Sequence, residues 1–233
     1  MEMGTVGQWA SAGATLMAVL VALFKNELVG WWRRPKLELS AGLVPPHCHI
    51  MPIHYQVQRV APTFIQSKCC YLRLWIANTG KTRAEKVQVF ASKVLKKDAD
   101  GEFREESNFI PVNLLWSHRQ TVVGGQEVYA EGISPKMGKH CDFGHIYDPI
   151  CRKDFGEDLP ELSPTSTIFA LALEVCPSTL THLLVPGTYR IELHIAATNS
   201  SPIIKMLEFT VTGNWFDDLQ KMVRDGIGLR IIQ

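Results

Sequence analysis

From Met3 to Phe24 the chain carries no charged side chain, and this run constrains its architecture more than any other feature. At ~1.5 Å per helical residue, roughly 20 residues cross the ~30 Å hydrocarbon layer of a bilayer. The run is long enough, and a helix that is apolar on every face is satisfied only by lipid or by burial. A cleaved export signal opens with positive charge and closes on a small-residue cleavage site. Here the only early charge is Glu2, and "VALFKNE" offers no such site.

The flanks favour a permanent anchor. Trp9 lies near one end, and Trp31 and Trp32 lie beyond the other, followed by Arg33, Arg34 and Lys36. Indole rings settle at headgroup level, and basic residues mark the cytoplasmic flank. The expectation is a single-pass protein of the inner (plasma) membrane whose large C-terminal part is cytoplasmic. Insertion is marginal. Val6, Leu16, Val19, Leu20, Val21, Leu23 and Phe24 together favour it by about 2–4 kcal/mol, while Gln8, Ser11, Thr15 and the glycines oppose it. A helix buried in a partner or in the protein's own core is the alternative. Ala10, Ala14, Ala18 and Ala22 recur every four residues, a spacing at which small side chains let two helices pack closely. Alanine is also simply common in membrane helices.

After Pro35 the apolar period changes to two, the mark of half-buried strands. "KLELSA", "CYLRLWIAN", "EKVQVFASKV", "IFALALEV", "TYRIELHIAA" and "IIKMLEFTV" each alternate. Between them, Asn78-Thr79-Gly80, Asp100-Gly101, Pro186-Gly187 and Asn199-Ser200-Ser201-Pro202 supply turn chemistry. Short alternating strands joined by such turns predict an antiparallel sandwich. "DADG" (Asp98 to Gly101) has Phe109 where a calcium loop needs its twelfth-position glutamate, so it reads as a hairpin tip. The tail "NWFDDLQKMVRDGIGLRII" places Trp215, Phe216, Leu219, Met222 and Val223 on one helical face, which predicts a short helix packed on the domain.

Two segments carry a family resemblance. Gly187-Thr188-Tyr189-Arg190-Ile191 is similar to the tyrosine-corner segment that opens strand F of immunoglobulin-like domains. "NTGKTRAEKVQVF" resembles the second-to-third strand passage of bacterial immunoglobulin-like and adhesion-type modules. Ile191 stands where antibody-type domains have cysteine, so the resemblance implies no inter-sheet disulfide. As a whole the chain resembles uncharacterised bacterial proteins with one N-terminal membrane helix and a cytoplasmic immunoglobulin-like domain. The resemblance implies a mainly β fold, an immunoglobulin-like antiparallel β-sandwich preceded by one transmembrane helix and followed by a short C-terminal helix. It brings no established chemistry, and fold alone licenses none. The organisation expected is an anchor with a basic juxtamembrane segment over 1–34, the sandwich over 35–213, and a helix and tail over 214–233. Glu105 to Thr165 reads as a long insertion with a few short strands around Leu114 and Val122.

The 24 basic and 23 acidic residues nearly balance, which gives no general argument for nucleic-acid binding. Six scattered cysteines read as free thiols in a reducing compartment. Histidine and cysteine concentrate as His47, Cys48, His49 and His54, and as His140, Cys141, His145 and Cys151, but neither group has a standard zinc spacing. A cysteine nucleophile served by His140 or His145 is a further possibility that adjacency alone does not support. No catalytic fingerprint, metal motif or cofactor motif is present, and no cofactor is expected. The best small-ligand candidate is "SPKMGKH", where Lys136 and Lys139 flank a glycine ahead of His140, a chemistry suited to a small acidic ligand. A solvated turn is the plainer reading. The acidic loop with Asp154, Glu157, Asp158 and Glu161 is a candidate partner for those lysines.

Two function classes follow. The first is a non-enzymatic interaction module presenting a cytoplasmic sandwich to a protein partner. The second is a ligand-gated membrane effector, by analogy with bacterial antiviral effectors, in which the sandwich senses a signal and the helix oligomerises to disturb the membrane.

Overall fold

The computed structural model describes residues 4–57, 63–117 and 130–232. Helix α1 (Gly4–Arg33) takes in the charge-free run from Gly4 onward. It stops at Arg33 because the ring of Pro35 disfavours helical geometry for the residue before it. Gly7–Lys25 is long and apolar enough to cross a membrane and is wholly exposed. The side chains of Trp31 and Trp32 lie outside the described part.

The strands that follow are β1 (Leu37–Ala41), β2 (Cys48–Val57), β3 (Thr63–Asn78), β4 (Ala84–Lys97), β5 (Phe103–Glu105), β6 (Val112–Asn113), β7 (Leu115–Trp116), β8 (Ala130–Ile133), β9 (Gly138–Tyr147), β10 (Phe169–Leu171), β11 (Leu183–Leu184), β12 (Gly187–Ala197), β13 (Ser200–Val211) and β14 (Ile227–Ile232). They form two antiparallel sheets. In the first, β1 and β2 lie end to end along one edge of β3, β9 lies on the other, and β7 and β10 share the far edge of β9. The second runs β14–β13–β12–β4, and the outer edge of β4 is completed in turn by β8, β6 and β5.

The inward faces follow the expected alternation. Leu72, Leu74 and Ile76 of β3 meet Val87, Val89 and Ala91 of β4 and Ile191, Leu193 and Ile195 of β12 in one buried cluster. Phe209 ties the sheets together, its ring 4.2 Å from Phe169 and 5.8 Å from Phe143. In β4 the period slips at Ser92, a bulge against β12 that returns Val94 to the core. The bulged Ser92 hydroxyl donates to Glu192 at 2.6 Å, so the irregular residue keeps a polar partner.

The stretch 105–165 departs from its reading as an insertion. It contains β9, a ten-residue strand at the centre of the first sheet. A bulge at Phe143 breaks its period, and Gly144 stands at an inward position opposite Leu72, which is why alternation did not reveal it. The strand expected around Val122 lies outside the described residues, whereas Leu114 sits at the crossing between β6 and β7, which belong to different sheets. "DADG" is the β4–β5 hairpin tip, with the Asp98 carboxylate accepting from the Asp100 and Glu102 N–H groups. The C-terminal tail packs on the domain as expected, with Met222 buried and Trp215, Phe216, Leu219 and Val223 against the core. Its helix is shorter than expected, α2 (Leu219–Lys221) and a π turn to Gly226, and the end of the tail becomes the edge strand β14.

Tyr189 is buried, and its hydroxyl donates to the Val185 carbonyl at 2.9 Å. Tyr189→Phe removes that bond while keeping the ring. Urea unfolding should show a loss of about 1 kcal/mol, and a neutral result would mean that this corner does not contribute to stability.

Candidate functional site

A buried, fully bonded polar side chain lies where α1 meets the sandwich. Asn78, the last residue of β3, is completely buried. Its carboxamide oxygen accepts from the Lys36 N–H at 3.2 Å and the Gly80 N–H at 3.0 Å. Its nitrogen donates to the carbonyls of Thr82 at 2.7 Å and Ile133 at 2.9 Å. Its own backbone N–H donates to Met137 and its carbonyl accepts from Lys136. One residue thus binds the segment after α1, the β3–β4 turn and the end of β8 through its side chain, and the turn ahead of β9 through its backbone.

The junction is fastened further. The Thr82 hydroxyl donates to the Arg33 carbonyl at 2.7 Å, the Ser200 hydroxyl to the Pro35 carbonyl at 3.1 Å, and the Thr79 N–H to the Lys36 carbonyl at 2.8 Å. Gly80 makes this approach possible: a Cβ there would sit 2.4 Å from the Lys36 nitrogen and 2.6 Å from the Arg34 carbonyl oxygen. Helix and sandwich are joined without a slack linker.

A second polar cluster lies on the outer face of the first sheet. His145 Nε2 and Glu157 Oε1 are 2.6 Å apart. Tyr147 lies beside His145, ring centroids 4.5 Å apart, and stacks on Phe155. The loop carrying Glu157 is held down by Arg152, which is almost fully buried and donates to the carbonyls of Ser163 and Ser166. Burial pushes the Tyr147 hydroxyl well above its usual range and pushes His182 below its ordinary value, with His145 adding to the effect. Two carboxylates of the acidic loop thus find partners other than Lys136 and Lys139. Glu157 pairs with His145, and Asp158 lies 3.5 Å from Arg152.

The thiols are enclosed. Cys48, Cys69, Cys70, Cys141 and Cys151 are buried, and Cys176 is exposed. Burial raises the Cys69, Cys141 and Cys151 thiols, and the Cys48–Cys70 contact at 3.9 Å raises Cys70 and lowers Cys48. The raised thiols are structural, since a nucleophile needs a lowered value, and Cys48, the lowered one, is fully buried and closed to a substrate. Among the described residues no group of three or more His, Cys, Asp or Glu is arranged to hold a metal ion.

The sequence candidates are distributed as follows. Lys136, at φ 62°, and Lys139 are exposed beside the anchor junction. His140 is turned away onto Trp75 and His47, ring centroids 4.6 and 5.3 Å distant. The trio does not converge. Ala10, Ala14, Ala18 and Ala22 are exposed on α1. Trp9 is exposed near the start of the apolar span, and Arg33 and Arg34 are exposed at the junction. Sequence reasoning missed Asn78, because a lone Asn before Thr-Gly reads as a turn residue. No protein family, curated protein or solved structure matches this chain.

Asn78→Ala would leave two buried N–H groups and two carbonyls without their partner. Each such orphan costs about 1–3 kcal/mol, so a loss of at least about 2 kcal/mol is expected. Trypsin should then cut after Arg33 or Lys36 faster than in the native chain, the Arg34–Pro35 bond being resistant because proline follows it. An unchanged cleavage rate would show that the junction is held without Asn78.

Proposed function

We propose that the chain is a single-pass inner-membrane protein that holds an immunoglobulin-like sandwich at the cytoplasmic face for a protein partner, without chemistry of its own. The observation that carries this reading is the wholly exposed apolar span fastened directly to a well-packed β domain. A surface that apolar is satisfied by lipid. The basic residues after the span favour a cytoplasmic sandwich.

The immunoglobulin-like assignment is supported by strand order. β1, β3, β9 and β7 face β13, β12, β4 and β6, the arrangement in which such domains set strands A, B, E and D against G, F, C and C′. The Tyr189–Val185 bond supports it too. The surface offered to a partner is the β2–β3 ribbon beyond Lys68, where among the described residues only those two strands pair and His54 is exposed, with Met51 and Pro52 exposed at its base.

Cys176 is the exposed thiol and serves as reporter. A membrane-impermeant maleimide should leave it unlabelled in intact cells and label it after lysis. Labelling in intact cells would place the sandwich outside and overturn the orientation.

The rigid junction also favours the second reading, a ligand-gated membrane effector, since helix assembly would be transmitted to the sandwiches without loss. Ala14→Leu with Ala18→Leu keeps the span apolar but separates helices that pack through small residues. If the effector reading holds, the native chain depolarises cells on activation and the double variant, still membrane-bound, does not. If neither depolarises, the interaction module stands alone.

A further inference from the structure

We propose that the end of the sandwich into which α1 runs is a docking face for anionic lipid headgroups. The inference rests on the reading of α1 as a membrane anchor. At ~1.5 Å per residue the 30 residues of α1 span roughly 45 Å, about the thickness of a bilayer with its headgroup layers. Arg33 therefore emerges at headgroup level, and the bonds at the junction leave no spacer between it and the sandwich.

Three turns are pinned around that point. The β3–β4 turn is held through Thr82 to Arg33, the turn ahead of β9 through Asn78 to Met137 and Lys136, and the β12–β13 turn through Ser200 to Pro35. Charge is concentrated there. Segments 33–38, 78–86, 134–139 and 197–202 hold eight of the 24 basic residues, Arg33, Arg34, Lys36, Lys81, Arg83, Lys86, Lys136 and Lys139, and two of the 23 acids, Glu38 and Glu85. The remainder of the chain is net acidic. All eight basic residues are exposed. These segments are separated in sequence, and only the fold gathers them into one face.

That face has further features suited to lipid. Met137 is 63% exposed at the tip of the turn, between Lys136 and Lys139, an apolar side chain set among cations. Beside the anchor an open recess of about 490 Å³ is lined by Arg34, Lys36, Glu38, Ser200 and Ser201 over an apolar floor of Pro35, Leu37 and Ile203. The two cations and the Ser201 hydroxyl suit a phosphate diester, while the Ser200 hydroxyl is committed to the Pro35 carbonyl. A negatively charged leaflet attracts juxtamembrane basic residues within a Debye length of its surface, and the anchor holds this face within that distance.

The test uses the full chain carrying Met137→Cys with Cys176→Ser, labelled with a fluorophore at position 137, the other thiols being buried. It is reconstituted into phosphatidylcholine vesicles or into an equal mixture with phosphatidylglycerol. Quenching by acrylamide, a neutral water-soluble quencher, is measured at low and high salt. The expected result is clear protection on the anionic vesicles at low salt, reduced at high salt and lost when Lys136→Gln and Lys139→Gln are added. One basic residue near an anionic surface shifts the docked population roughly fivefold, so removing two should shift it at least about tenfold. Equal quenching on the two vesicle types would overturn the proposal, as would equal protection by inorganic phosphate on neutral vesicles, which would mark a soluble ligand. Flotation separates the two readings. A chain that floats with both vesicle types but shows no anionic protection keeps its anchor and loses this face. One that floats only with anionic vesicles keeps the face and loses the anchor, and one that floats with neither loses both.

Discussion

The carboxamide of Asn78 is the interaction on which the arrangement depends. It is buried at the end of β3 with both oxygen lone pairs and both N–H groups engaged. A buried amide with unmatched groups would be costly, and a fully matched one rigidifies whatever it touches. What it touches are the first residues after the helix, the turn leading into β4 and the end of β8. The direction in which the helix leaves the domain, and the position of the basic turns around it, follow from one residue.

The sandwich supplies the stiffness that makes this matter. Its two sheets share one core across Phe143, Phe169 and Phe209. The chain crosses between sheets at Leu114, so the short strands on either side belong to opposite layers. Close-packed interiors transmit displacement instead of absorbing it. A load on the helix therefore reaches the strands through the junction, as a passive support needs and as a signalling device would use. The polar groups on the outer face, His145 with Glu157 and Arg152 with its carbonyls, hold a long loop onto the first sheet. The buried thiols beneath have the environment of packing residues.

Much of the β architecture was legible because a half-buried strand writes its face into the chain at period two. β3, β4, β12 and β13 were visible in this way, as was Tyr189 at its corner. β9 was not, although it is as central as any of them, because a bulge and an inward glycine break its alternation. The C-terminal strand β14 was hidden for a different reason. Its residues come directly after a helical pattern and are too few to show an alternation of their own, and what makes them a strand is the edge of β13 beside them.

The sequence by itself determined that an apolar helix long enough to cross the hydrocarbon layer of a bilayer precedes a basic flank and an antiparallel β domain. Those properties depend on local composition and periodicity, which each segment carries alone. Only the tertiary structure decided which distant residues meet. It separated His140 from Lys136 and Lys139, took the acidic loop to His145 and Arg152, and brought Arg34, Lys81 and Lys136 to the same end as the helix. Such encounters depend on strand register and on the bonds of one buried amide, long-range quantities to which no single segment is sensitive.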